Sequence, residues 1–92
     1  MKYLHQEFDA GPDDLVEVTL DGPANVMLLD PSNFDLYRKG DSFRYHGGLA
    51  KNSPVRLVPP SNGRWHVVVD LGGHTGHVRA GMRLVQGVNV AR

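Results

Sequence analysis

Apolar and polar positions alternate with period two through much of this chain, in short runs that predict strands. In DLVEVTL, residues 14–20, Val16, Val18 and Leu20 fall on one face and Glu17 and Thr19 on the other. RWHVVVDL, residues 64–71, puts Trp65, Val67, Val69 and Leu71 on one face, and HVRAGMRLV, residues 77–85, does the same with Val78, Ala80, Met82 and Leu84. NVMLL, residues 25–29, is short and apolar after Asn25, which predicts a strand buried on both faces. Weaker patterns predict an edge-like first strand at 2–8 and strands at SFRYH, 42–46, and SPVRLV, 53–58. Pro54 marks an edge, because proline cannot donate to a ladder. In the tail QGVNVAR, Val88 and Val90 can extend a strand.

One stretch breaks the alternation. In DPSNFDLYRKGD, residues 30–41, Asp30 or Ser32 can cap a helix, with Asn33 a further candidate. Phe34 and Tyr37 share a side at helical spacing, and Gly40 can close the last turn. A helix of roughly seven residues is too short to stand alone, so packing over an end of the sheet must hold it. About seven strands at roughly ten-residue intervals, punctuated by eleven glycines and six prolines, predict an all-β single domain over residues 1–92. The expected architecture is a small antiparallel β-sandwich of jelly-roll-like kind, or a partly open barrel.

The run DLGGHTGHVRA, residues 70–80, carries the most conspicuous chemistry. If the last two strands form a hairpin, their apolar faces must both look into the core, and opposed residues share a face. Two registers meet that condition. Gly72-Gly73 can be a primed turn pairing Leu71 with His74, or residues 72–75 can be a loop pairing Leu71 with Gly76. The second is preferred, because it leaves His74 at the loop tip. Either register places Asp70 and His77 together on the outer face, with His66 in the same phase as Asp70. A carboxylate beside an imidazole orients it and raises its pKa. A hydrolase would also need a nucleophile and an oxyanion hole, and no G-x-S-x-G motif is present, so no catalytic residue is assigned. Three-residue spacing separates His74 and His77 onto opposite strand faces, and a zinc site needs three or four ligands, with His66 or His46 joining. No metal or cofactor is expected.

Composition narrows the setting. A chain of 92 residues buries only about 60–65% of its unfolded surface. Without cysteine there is no disulfide, thiolate metal site or cysteine nucleophile, which fits a reducing cytoplasm. The N-terminal residues lack the apolar core of a secretory signal, and apolar runs such as 67–69 are too short to span a membrane. Net charge is zero but polarised. Residues 1–35 hold eight acids and one base, a net of −7, and residues 36–92 hold nine bases and two acids, a net of +7. Either the halves pack and neutralise each other, or a basic face meets an anionic ligand. Arg44, Tyr45, His46, Lys51 and Arg56 cluster around Gly47-Gly48 and are the candidate ligand-binding residues. Their cations can hold phosphate and the tyrosine can stack a planar ring. HGGLAKNS is not a phosphate-binding G-x-x-x-x-G-K-[ST] loop, although its glycines can form an anion-binding nest. The alternative is a solvated hairpin whose tyrosine caps the core. Trp65, Met27 and Met82 are read as core.

DLVEVTLDGPANVMLLDPSNFDLYRKG, RYHGGLAKNSPVRL and GRWHVVVDLGGHTGHVRAGMRLV together resemble a small bacterial family known only as a domain of unknown function. NVMLLDPSNFDLYRKG and WHVVVDLGG carry the resemblance most specifically. By that resemblance, members occur alone or joined to a Toll/interleukin-receptor (TIR) domain, and this chain looks like the stand-alone form. The resemblance implies an all-β fold and supplies no catalytic residues. A looser similarity, at fold level, is to secreted prepeptidase-type β-sandwiches. The expected role is a non-enzymatic binding or sensing module for an anionic ligand or a protein partner, with nucleic acid ranked behind these and no membrane partner. Two alternatives stand beside it. One is homo-oligomerisation through an edge strand near Pro54 or the N-terminus. The other is a hydrolase or metal-dependent enzyme using Asp70 and His77, with or without His66.

Overall fold

A computed structural model describes residues 2–88, so Val90 lies outside the described residues. The element order is β1 (Tyr3–Ala10), β2 (Leu15–Leu20), β3 (Ala24–Leu29), α1 (Pro31–Lys39), β4 (His46–Ala50), β5 (Val55–Leu57), β6 (Gly63–Asp70) and β7 (Ala80–Val85). The strands form two antiparallel sheets, a larger one ordered β1-β6-β3-β4 and a smaller one ordered β5-β2-β7. The expected β-sandwich is therefore present, and it does not close into a barrel. Helix α1 covers the outer face of the larger sheet. Among the described residues, no helix is long and apolar enough to cross a membrane.

Two cores follow from the alternation. Val16 and Val18 of β2 meet Val26 and Leu28 of β3 and Trp65, Val67 and Val69 of β6 between the sheets. The opposite faces of β3 and β6 supply Met27, Leu29 and Val68 to a second core under Phe34 and Tyr37 of α1. This is why residues 26–29 are apolar at every position: β3 has a layer on each side. The helix follows its sequence signals. Asp30 caps it by accepting from the Asn33 N–H at 2.8 Å, and Gly40 closes it with a φ of 78°. It runs nine residues, slightly longer than its pattern predicts. Asn33 is not the cap. Its side-chain carbonyl instead accepts from the Arg44 N–H at 2.8 Å.

Three local expectations are corrected. SFRYH is not a strand: the ladder starts at His46, and the chain before it is tied to the helix through Asn33. The hairpin alternative around Gly47-Gly48 does not hold, because both glycines lie inside β4, opposite Met27 and Val26. Gly47 has a φ of 113°, and a Cβ there would run into the Val26 carbonyl oxygen, so the strand passes only because this residue has none. Residues 77–79 stay outside β7.

The larger correction concerns the last two strands. β6 and β7 do not form a hairpin, because they belong to different sheets. Gly72-Gly73 does make a tight turn, with the His74 N–H donating to the Leu71 carbonyl at 3.1 Å, but the chain then crosses to the smaller sheet. The preferred four-residue loop and its register fall with the hairpin. Both apolar faces still look into one core, across the sandwich instead of along one sheet.

The outer face of the smaller sheet is polar. Glu17 on β2 sits between Arg56 on β5 and Arg83 on β7, at 3.2 and 2.8 Å. Their hydrogen bonds, Arg83 foremost, hold its carboxyl below the ordinary range.

Gly47→Ala is expected to destabilise the domain by on the order of 2–4 kcal/mol, from a backbone clash added to a strained φ. Gly48→Ala carries backbone strain alone, at a φ of 147° with no atom near its Cβ, and should cost about 1–2 kcal/mol. At roughly 4–8 °C per kcal/mol, thermal melts of the two variants separate clearly.

Candidate functional site

Strand β6 sends its odd residues into the sandwich and its even ones, His66, Val68 and Asp70, toward α1. Val68 is fully buried, while His66 and Asp70 are 7% and 5% exposed. Neither polar side chain keeps enough water to satisfy it, so each draws partners from neighbouring elements. The helix-covered face thus has an apolar centre and a polar group toward each end.

At one end, the Asp70 carboxylate is fully engaged. One oxygen accepts from the Tyr37 hydroxyl at 2.6 Å, and the other accepts from the Asn25 side-chain amide and the Gly72 N–H, both at 2.9 Å. Burial pushes the Tyr37 pKa far above the ordinary tyrosine value, and the Asp70 carboxylate raises it further. This arrangement corrects the expected Asp70–His77 dyad. Asp70 faces the helix, and His77 is exposed on the crossing segment. Both line one open cleft, but no hydrogen bond joins them among the described residues. His74 is likewise exposed and does not converge with His77 on a ligand.

At the other end, His66 meets two residues of β1. Its Nδ1 lies 2.8 Å from His5 Nε2, and the two nitrogens share one hydrogen. Glu7 is the register partner of His66, and its Oε1 stands 3.9 Å from His66 Nδ1. The other Glu7 oxygen is held by Arg64 at 2.9 Å. The two imidazoles are edge to edge with planes 10° apart, and the Phe34 ring lies over both, with centroids 4.2 and 4.3 Å away. Desolvation lowers the pKa of both histidines, and Glu7 only partly offsets it, so both rings are neutral at neutral pH.

The basic cluster divides. Arg44, Tyr45 and His46 line one cleft of about 610 Å³ with Asp30, Asn33 and Trp65. Tyr45 is 47% exposed and packs against Phe43, while His46 stands edge-on to Trp65. Trp65 is core, as its phase predicts, and its indole N–H donates to the Ser61 carbonyl at 2.9 Å. Lys51 is exposed past the end of β4 and does not line the cleft. Arg56 leaves the cluster altogether, since β5 carries it to Glu17 on the other sheet. Arg38, Arg64 and Arg83 also pair with carboxylates, whereas the Arg44 guanidinium has no ion pair among the described residues.

Sequence reasoning missed His5, Glu7, Tyr37 and Asn25 as partners of the β6 side chains. The alternation of YLHQEFDA places His5 and Glu7 on one face of β1. Nothing local says that this face adjoins β6.

A family model described as "Domain of unknown function (DUF1883)" matches residues 1–87. No curated protein and no solved structure matches the chain.

Tyr37→Phe is expected to lower stability by about 1.5–3 kcal/mol at neutral pH, the usual worth of a hydrogen bond to a charged group. The fold holds the Tyr37 proton more tightly than the unfolded chain does. That contribution is therefore complete below about pH 10 and is lost as pH rises beyond it. Urea titrations across alkaline pH should show the wild-type advantage over Y37F shrinking above that point.

Proposed function

We propose that this chain, which belongs to the DUF1883 family, is a small non-enzymatic binding module that takes an anionic ligand with a planar portion in the Arg44–Tyr45–His46 cleft. One observation carries the reading. Among the described residues, Arg44 stands without a carboxylate partner beside an exposed tyrosine ring, while Arg38, Arg56, Arg64 and Arg83 are paired and Arg79, also without an ion pair, lies outside the cleft. A guanidinium offers a planar fork that matches phosphate or carboxylate, and the phenol ring offers an apolar face for stacking. Asp30 lines the same cleft, and its Oδ1 accepts from the backbone and side-chain N–H groups of Asn33 at the helix cap.

The number of free cations speaks for a small ligand. A nucleic-acid strand needs a row of them along its backbone, and Lys51 and Arg56 stand outside the cleft. The non-enzymatic part of the reading rests on Asp70, whose oxygens are all engaged, and on His77, which has no carboxylate partner among the described residues. The resemblance to a family with TIR-joined members supports recognition as the role. A cysteine-free chain supports a cytoplasmic setting.

The test is a thermal-shift panel on the full chain with nucleotides, sugar phosphates, dicarboxylates and short oligonucleotides. A ligand at a hundred times its Kd adds about 2.7 kcal/mol, which corresponds to at least about 10 °C for a domain this size. The expected result is a shift with a small planar anion that fades in salt, disappears in Arg44→Ala and persists in Arg83→Ala. A flat panel, or a shift insensitive to Arg44→Ala, overturns the proposal.

A further inference from the structure

We infer that His5, Glu7 and His66 form a binding site for a divalent transition-metal ion of the zinc type, separate from the cleft and independent of its ligand. The three side chains stand on one face of two adjacent antiparallel strands. Glu7 and His66 are directly opposed, and His5 lies two residues before Glu7 on the same face. Their ligand atoms all lie within 4.8 Å of one another. Two imidazole nitrogens and one carboxylate oxygen suit zinc and its neighbours in the first transition row, in preference to magnesium or calcium.

Lone pairs on imidazole nitrogen lie in the ring plane. The two ring planes agree within 10°, and the facing nitrogens are 2.8 Å apart. The two now face one another across the hydrogen bond, so an ion meets both lone pairs once the rings turn within that plane. Tetrahedral ligation with metal–nitrogen bonds of about 2.0–2.1 Å needs the nitrogens about 3.3 Å apart. A small outward turn of His5 on the exposed edge strand supplies the difference. Binding exchanges one hydrogen bond for two metal–nitrogen bonds and moves the ring hydrogens to His5 Nδ1 and His66 Nε2.

The surroundings fit such an ion. Arg64 holds one Glu7 oxygen at 2.9 Å and leaves the other facing His66, making it a positioning residue for the ligand carboxylate. Phe34 stacks on both imidazoles and fixes their plane. His66 is buried, whereas His5 and Glu7 are exposed, so the ion can enter from the β1 edge. Three protein ligands leave a fourth position for water or a donor from a partner molecule. The nearby cations are themselves compensated, Arg38 by Asp35 at 3.1 Å and Arg64 by Glu7 and Asp9.

The experiment is zinc titration of the untagged full chain against a chromogenic chelator, with histidine ring nitrogen spectra recorded alongside. The expected result is one zinc ion per chain, with resonances of His5 and His66 shifting and those of His74 and His77 unchanged. His5→Gln and Glu7→Gln, both at exposed positions, should weaken binding at least tenfold, and Arg64→Ala by about tenfold. The double variant His74→Gln/His77→Gln should bind as wild type does. Circular dichroism confirms that each variant is folded. Absence of stoichiometric binding overturns the site. So does binding that survives His5→Gln in a folded protein, or that is lost only in the double variant.

Discussion

Asp70 and His66 project from β6 into a layer where α1 has displaced most of the water, and the molecule is arranged around giving them partners. A buried carboxylate or imidazole without a hydrogen bond costs several kcal/mol, comparable with much of the net stability of a small domain. Among the described residues, no buried side-chain polar atom lacks a partner. The partners come from β1, β3 and α1, so satisfying β6 also positions its neighbours. A nine-residue helix is marginal by itself. It is located here by the Tyr37 hydroxyl on Asp70 and by the Phe34 ring on His66.

The path of the chain compounds this dependence. The polypeptide crosses between the sheets at nearly every connection, and only β3 and β4 follow one another within a sheet, with α1 between them. Pairings such as β1 with β6 therefore join segments remote in sequence, and loop closure must precede the contacts that offset it. Fully buried valines at 16, 18, 26, 67 and 69 supply much of the compensating burial, in a residue type that suits a pleated surface. Ion pairs from Arg56, Arg64 and Arg83 to Glu17, Glu7 and Asp9 tie the basic part of the chain to the acidic part. Much of the polarisation seen along the sequence is thereby consumed. Each such exposed pair contributes little to stability, and among the described residues Lys2, Arg44, Lys51 and Arg79 are the cations left without an ion pair. Arg44 is one of them, and this gives its cleft a distinct electrostatic character.

Polar chemistry is segregated accordingly. The sandwich interior is apolar, the smaller sheet shows solvent an arginine–glutamate–arginine row, and the helix-covered face gathers the histidine pair and the Asp70 network. The turn at Gly72-Gly73, with the most conspicuous sequence motif, is a crossing point between sheets. Its exposed histidines touch neither polar group.

Strand phases, the doubly buried β3, the helix with its Asp30 cap and Gly40 end, and the apolar phase of Trp65 were all legible in the sequence. Each rests on local periodicity or on the backbone demands of a single residue. The expected hairpin failed for a physical reason that parity cannot see. Two strands whose apolar faces share a core can be neighbours in one sheet or opposites across a sandwich, and alternation is the same in both cases. Arg56 and Asp70 were misplaced by that ambiguity, and His5 and Glu7 passed unnoticed because their partner lies some sixty residues away in sequence. Except at β4, whose glycines carry no strand pattern, the sequence by itself determined where strands form and which face of each is apolar. Tertiary structure decided which strand lies beside which, and hence which polar side chains meet, because that choice depends on the packing of whole layers and not on any local pattern.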